Sequence, residues 1–273
     1  DFANGNFCAP NELNEKLDAL VSNWENLYGK NPVFKTIGDR FYHVLSKAEE
    51  KTGHKAVVLI DEYDKPLLDP LGDEQEITNR NILRGYYGTF KAADAHLRFV
   101  LLTGVTKFSQ LTVFSGFNQP KDLTMDSRYD AICGITEDEL HTVFAESIKQ
   151  MAEKFKITPD EVKLRLKNRY DGYHFSEELV DIYNPFSILN TFDKKRMRDY
   201  WYESGTPTYL AKLIEGHQIN MQKLIAKPYT VEYFLNYRAD TEDPLAMFYQ
   251  SGYLTIKDYD DDFGLYTLDY PNT

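Results

Sequence analysis

Cysteine is scarce: Cys8 and Cys133 are the two thiols in 273 residues. Far apart and flanked by apolar or small residues, they exclude a disulfide framework and predict buried free thiols. Long hydrophobic runs are missing as well. No stretch of about 18 apolar residues could span a bilayer. Asp1-Phe2-Ala3-Asn4-Gly5 supplies neither the basic nor the apolar part of a leader, so the sequence predicts a cytoplasmic protein with no membrane partner. Positive charge is also short. With 31 Lys and Arg against 43 Asp and Glu, the net charge of −12 excludes a broad nucleic-acid surface, which must displace counterions with basic side chains. Two local basic clusters, Lys163, Arg165, Lys167 and Arg169, and Lys194, Lys195, Arg196 and Arg198, read as solvated helix faces. His43, His54, His96, His141, His174 and His217 show no spacing with Cys or carboxylates that suggests zinc; His174 reads as a packed or capping histidine. Asp258, Asp260, Asp261 and Asp262 lack the glycine and terminal glutamate of a calcium loop and read as a hairpin tip. Internal repeats and low-complexity tracts are absent.

What is present is the composition of a globular chain, 42% apolar and 27% charged. From Pro10 to Tyr28 the residues Leu13, Leu17, Leu20, Val21, Trp24, Leu27 and Tyr28 recur at three- and four-residue steps and form one helical stripe. A second helix runs from Thr36 to about Lys51, with Ile37, Phe41, Leu45 and Ala48 inward and Gly53 as its stop. Then the period changes. Ala56-Val57-Val58-Leu59-Ile60 and Phe99-Val100-Leu101-Leu102 are short apolar runs that predict strands buried on both faces. Ile82, Leu83, Tyr86, Tyr87 and Phe90 keep helical spacing between them, so the order strand, helix, strand predicts a parallel α/β sheet. Ala131 to Ile135 reads as a third, weaker strand.

From Thr136 onward the pattern is mostly helical. Thr136 with Glu139, and Thr158 with Glu161, read as capping boxes. Asn184-Pro185, Thr206-Pro207 and Asp243-Pro244 each place a cap residue before a proline at the first helical position. The chain closes with a predicted β-hairpin, Tyr253 to Lys257 and Leu265 to Leu268, turning at Asp260 to Gly264. A helix followed by such a hairpin is what a winged-helix domain would show.

The segment richest in chemistry is Val57-Val58-Leu59-Ile60-Asp61-Glu62. Ligands gather at the carboxyl edge of open parallel sheets, and in P-loop nucleotide hydrolases an aspartate there holds magnesium while a neighbouring acid orients the attacking water. Asp61 fits the metal role and Glu62 the catalytic one; the plain alternative is a polar strand-to-helix turn. Thr103, the first polar side chain past the second apolar run, fits a sensor near the γ-phosphate, with a turn cap as its alternative. Asp64 and Lys107 are further nucleotide-binding candidates, and Arg84 and Arg128 are candidates for a charge-stabilising arginine.

Six strings carry a family resemblance: Val58-Leu59-Ile60-Asp61-Glu62-Tyr63-Asp64-Lys65-Pro66-Leu67, Leu102-Thr103-Gly104-Val105-Thr106-Lys107-Phe108-Ser109, Tyr170-Asp171-Gly172-Tyr173-His174-Phe175, Tyr183-Asn184-Pro185-Phe186-Ser187, Gly205-Thr206-Pro207, and Gln250-Ser251-Gly252-Tyr253-Leu254-Thr255-Ile256-Lys257. In this order they resemble the AAA-ATPase-like family, common in Bacteroidetes and other anaerobes, whose members usually continue into a PD-(D/E)XK nuclease-type domain. The resemblance implies an α/β, STAND-like P-loop sheet followed by a mostly helical and winged-helix-like portion. It divides the chain into a partial ATPase core (1–135), a helical subdomain (136–205) and a winged-helix-like subdomain with the hairpin (206–273).

Family members carry an Arg-Phe-Gly-Lys-Ser phosphate loop, and this chain has no G-x-x-x-x-G-K-S/T; Gly29-Lys30 is followed by Asn31 and reads as a helix-ending turn. Asp1-Phe2-Ala3 resembles the tail of the family's second strand, and Tyr270-Pro271-Asn272 its last residues before the nuclease-type domain. The resemblance therefore implies a fragment whose partners are an upstream P-loop segment and a downstream nuclease-type domain. Without the P-loop strand the sheet would have a gap that invites a partner strand. ATP and Mg2+ are expected for the intact protein, as an ATP-dependent switch acting on the nuclease-type or a partner domain, with no tight cofactor and no activity in this piece alone. The competing expectation is a non-catalytic protein- or DNA-binding module with vestigial acids.

Overall fold

In the computed structural model, residues 1–107, 120–203, 210, 221–235 and 244–272 are described. Two compact units emerge, Asp1–Lys121 with Asn236–Thr241, and Asp122–Leu235 with Glu242–Thr273.

The first unit begins with helices α1 (Glu12–Tyr28) and α2 (Ile37–Thr52). Helix α2 starts at Thr36, whose side chain accepts a hydrogen bond from the Asp39 amide, and stops at Gly53, which takes the left-handed conformation (φ 72°). Leu13, Leu17 and Val21 of α1 are buried, whereas Leu27, on the predicted stripe, is 61% exposed. Between the two helices lies an ion network. Arg40 of α2 donates from Nε to Glu25 Oε1 (3.0 Å), from Nη2 to Glu25 Oε2 (2.8 Å) and to Ser22 Oγ (2.9 Å), and it also pairs with Asp18. Those bonds to Arg40 hold the Glu25 carboxyl below its usual range despite burial, which acts the other way.

Strand β1 (Ala56–Ile60) is followed by the short α3 (Lys65–Leu68), the long α4 (Glu74–Ala92) and strand β2 (Leu97–Leu102). Leu83, Tyr86, Tyr87 and Phe90 form the buried face of α4, and Phe41 of α2 stacks on Tyr86 at 5.0 Å. The strands pair in parallel, with Val57 opposite Phe99 and Ile60 opposite Leu102. Both carboxyl ends therefore reach the same edge. The expected burial on both faces does not hold: Val57, Leu59, Phe99 and Leu101 are exposed. Side chains alternate along a strand, so these four share the uncovered face, while Val58, Ile60, Val100 and Leu102 point to the covered one.

The second unit opens on β3 (Ile135–Thr136), which pairs antiparallel with β4 (Ile182–Tyr183) rather than with β1 or β2; the predicted strand over Ala131 to Ile135 shrinks to its last residue. Helices α5 (Glu137–Thr142), α6 (Ala145–Phe155), α7 (Pro159–Tyr170) and α8 (Pro185–Lys194) follow, with Leu140, Ile148, Met151, Val162, Leu166 and Ile188 in their shared core. The capping box of Thr136 and Glu139 is complete. Thr158 accepts from the Glu161 amide, but the Glu161 carboxylate turns to Arg165, and Asn184 accepts from the Ser187 amide at 2.9 Å.

After α9 (Tyr200–Glu203) come β5 (Pro228–Tyr229), α10 (Val231–Leu235), α11 (Leu245–Gln250), β6 (Thr255–Asp260) and β7 (Leu265–Asp269). The hairpin of β6 and β7 turns at Gly264 (φ 64°), and β5 adds to β7, giving the order β5-β7-β6. Pro244 caps α11 rather than opening it; Asp243 and the Thr206-Pro207 start lie outside the described residues. Cys8 and Cys133, expected to be buried, are both exposed, because each sits in a turn outside the helical cores. No helix among the described residues is long and apolar enough to cross a membrane.

Candidate functional site

The polar ends of β1 and β2 meet at the carboxyl edge of the strand pair. The ladder runs past both strands: the Thr103 amide donates to the Ile60 carbonyl (2.9 Å), and the Tyr63 amide returns to the Thr103 carbonyl (3.0 Å). Between these bonds the exposed Thr103 hydroxyl donates to Oδ1 of the exposed Asp61 at 2.6 Å. Glu62, half-buried, turns the chain with a positive φ of 53°, uncommon for a residue with a side chain. The turn is held on both sides: the Phe2 amide bonds the Asp61 carbonyl (3.1 Å) and the Lys65 amide bonds the Glu62 carbonyl (3.1 Å). Buried Asn79 of α4 fixes the base, donating to the carbonyls of Phe7 (2.9 Å) and Pro66 (2.8 Å).

Asp64 was expected at the nucleotide; its side chain instead faces inward. It is 1% exposed, and its Oδ2 accepts from the Thr106 amide (2.5 Å) and the Thr106 hydroxyl (2.8 Å). Burial pushes its carboxyl above the usual range, against the pull of those bonds. The Tyr63 hydroxyl closes the same junction by donating to the Thr106 carbonyl at 2.7 Å. Lys107, the other nucleotide-binding candidate, follows directly and is half-exposed. Arg84 is exposed on α4. Arg128 belongs to the second unit, where it is exposed and pairs with Asp126 of its own turn.

Asp61, Glu62 and Thr103 offer only oxygen ligands, which suits a hard cation such as magnesium. That ion takes one or two carboxylates and completes its shell with water and phosphate oxygens. Among the described residues no group of three or more His, Cys, Asp or Glu could hold a metal ion.

Residues 1–114 match the family model named AAA-ATPase-like and described as a predicted AAA-ATPase. Over this stretch the chain is similar to the AAA-ATPase-like family. The AAA-ATPase-like stretch contains Asp61, Glu62, Asp64, Thr103 and Lys107, whereas Arg128 lies beyond it. An uncharacterized protein from the vnfD 5′ region of Azotobacter chroococcum mcd 1 is 39% identical over 222 residues, which are 80% of this chain and 40% of that protein. The chain thus spans less than half the length of that relative. No solved structure matches the present chain.

A second polar cluster escaped the reading of the sequence. In the second unit, His174 Nδ1 faces the Ile256 carbonyl at 2.6 Å, and its Nε2 faces Asp181 Oδ1 at 2.8 Å. Both partners are oxygens, so a neutral ring could donate to only one of them. The His174 backbone is clamped by the Thr255 hydroxyl, which accepts from its amide and donates to its carbonyl. Lys257 reaches the carbonyls of Gly172 (3.2 Å) and Pro271 (2.6 Å), and burial lowers its pKa. Asp171 is buried with no hydrogen bond to Oδ1, and burial raises its carboxyl. The available signal was the string Tyr170 to Phe175, whose Gly172 takes φ 96° where a side chain would run into Pro271. This cluster ties one loop to the hairpin, and His174 within it is buried, as expected of a packed histidine, while its partner Asp181 is partly exposed.

Proposed function

We propose that residues 1–107 supply the magnesium-and-water half of an ATP site in a longer AAA-ATPase-like protein. One observation carries the reading: the exposed Asp61 carboxylate and the exposed Thr103 hydroxyl meet at 2.6 Å across the carboxyl edge of a parallel strand pair. In this reading Asp61 holds the metal, Thr103 senses the terminal phosphate, and Glu62 orients the attacking water. When bound, magnesium neutralises charge on the transferring phosphate oxygens. The left-handed turn at Glu62 supports its role, since such backbone costs on the order of 1 kcal/mol or more and persists only where its surroundings impose it.

Lys107 and Arg84 are the basic candidates within the same unit, and Arg128 is one carried by the other. The chain contains no glycine-rich lysine-serine or lysine-threonine loop, so the phosphate-gripping half, and any nuclease-type domain under ATP control, belong to the rest of the longer protein. The β5-β7-β6 sheet, with α10 and α11 lying between β5 and the β6–β7 hairpin in the chain, supports a winged-helix reading for the C-terminal part.

Titration of ATP, with and without magnesium, into the full-length gene product tests the assignment. Asp61→Ala should weaken magnesium-ATP binding roughly tenfold or more while leaving metal-free ATP binding little changed, as expected for loss of a charged ligand to the metal. Glu62→Gln should bind normally and lose turnover. Magnesium-ATP affinity indifferent to Asp61→Ala would instead favour a binding module with vestigial acids.

A further inference from the structure

We infer that Asp64 is the positioning residue of this site, and that the buried Asp64–Thr106 pair sets the exposed Asp61–Thr103 pair in place. The inference rests on the ATP reading above for what the exposed pair does, and on the geometry alone for how it is held. The two pairs have the same chemistry, an aspartate oxygen accepting from a threonine hydroxyl, and each partner of the second stands three residues beyond its counterpart in the first. They are two rungs between the same pair of loops. The first rung faces solvent and the second is dry, with Asp64 1% and Thr106 2% exposed.

That difference matters physically. An exposed hydrogen bond exchanges readily with water or ligand, whereas a buried acceptor that loses its donors bears the full cost of desolvation. The outer rung can therefore open to admit metal and phosphate while the inner rung keeps both loops in register. Little slack separates them. The Tyr63 amide bonds the Thr103 carbonyl and the Tyr63 hydroxyl bonds the Thr106 carbonyl, so one residue clips both ends of the β2 loop. Gly104, between the rungs, lies so close that a methyl group there would come within 2.8 Å of Asp64 Cγ and of Tyr63 Cδ1. A shift of Asp64 must consequently be felt at Thr103.

The test is a double-mutant cycle in the full-length gene product, read by magnesium-ATP affinity and by amide exchange. Asp64→Ala should weaken binding by about 10- to 100-fold, the scale of one to two lost buried hydrogen bonds. Asp64→Asn keeps an oxygen for both Thr106 donors and should stay within about threefold of the parent. With Thr103→Ala already present, Asp64→Ala should add less than about twofold, because coupled residues are not additive. Full additivity, or an Asp64→Ala protein that binds like the parent, overturns the inference. If Asp64→Ala does not fold, Thr106→Val takes its place in the cycle, with the same pattern expected and the same result decisive.

Amide exchange separates this inference from the nucleotide reading. Should the parent bind no magnesium-ATP, the nucleotide reading fails. The positioning role is then judged by protection of the Thr103 and Thr106 amides: lost in Asp64→Ala and kept in Asp64→Asn if it holds, unchanged in both if it does not.

Discussion

Replacing Gly104 with alanine should damage the candidate site and the first unit together. The added methyl would lie 2.8 Å from both Asp64 Cγ and Tyr63 Cδ1, roughly 0.7 Å short of the distance at which carbon atoms normally meet. Neither neighbour can step aside cheaply. Asp64 is held by two bonds from Thr106, and Tyr63, 8% exposed, is held by its hydroxyl on the Thr106 carbonyl. Overpacking of this kind costs about 1–3 kcal/mol, and stretching one charge-assisted hydrogen bond adds about 1 more, so a loss of roughly 3 kcal/mol is expected. Urea denaturation followed by Trp24 fluorescence in a Trp201→Phe background would measure it, Trp24 packing at 5.4 Å on Phe41 in the same unit. Gly85 is the control, since a methyl group there meets nothing within 4 Å. Gly85→Ala sits inside α4 and should be neutral or stabilising by up to about 1 kcal/mol. A Gly104→Ala protein as stable as the parent would refute the claim that the two loops are packed without slack.

Arg40→Met should destabilise the first unit by about 3 kcal/mol, because it takes every hydrogen-bonded cation from Glu25, 3% exposed, and leaves it the exposed Lys30 at 4.0 Å. Adding Glu25→Leu should recover most of that loss, and denaturation midpoints of the single and double variants decide the matter; a double variant no better than the single would show that packing, not charge, was lost. In the second unit, burial alone would raise the Asp181 carboxyl, but its bond to His174 and the charge of Lys167 outweigh that and hold it below the ordinary range. A carboxyl lowered in the folded state contributes stability that is complete above its unfolded pKa of about 3.9 and disappears as pH falls through the folded value. Melting temperatures of the parent and Asp181→Asn should therefore differ at pH 6 and converge below pH 4. A gap that stays constant down to pH 2 would exclude the ion pair as its source.

Much of the local structure was legible in the residues themselves. Helix α2 begins at Thr36 and ends at Gly53 because a hydroxyl can cap an amide and glycine can take a left-handed turn, and both properties belong to single residues. The Thr136 box, the Asn184-Pro185 start and the hairpin turning at Gly264 are of the same kind. So is the placement of Asp61, Glu62 and Thr103 just past apolar strands, since an acid or a hydroxyl ends an apolar run.

What lies against a given face was decided only by tertiary packing. Periodicity marks Leu27 as apolar and on the stripe of α1, yet it is mostly exposed; the same rule marks Val57 and Leu59 as strand core, yet they share the open face of the sheet. The apolar and small neighbours of Cys8 and Cys133 equally suggested buried thiols, whereas both are exposed. Most tellingly, Asp61 and Asp64 are identical side chains three residues apart, and the sequence made both candidates for the nucleotide. One faces solvent beside Thr103 and the other is sealed against Thr106, a choice made by the β2 loop some forty residues away. Burial is a property of the contacts a residue meets, and those contacts are written into the chain as a whole rather than into any one stretch of it.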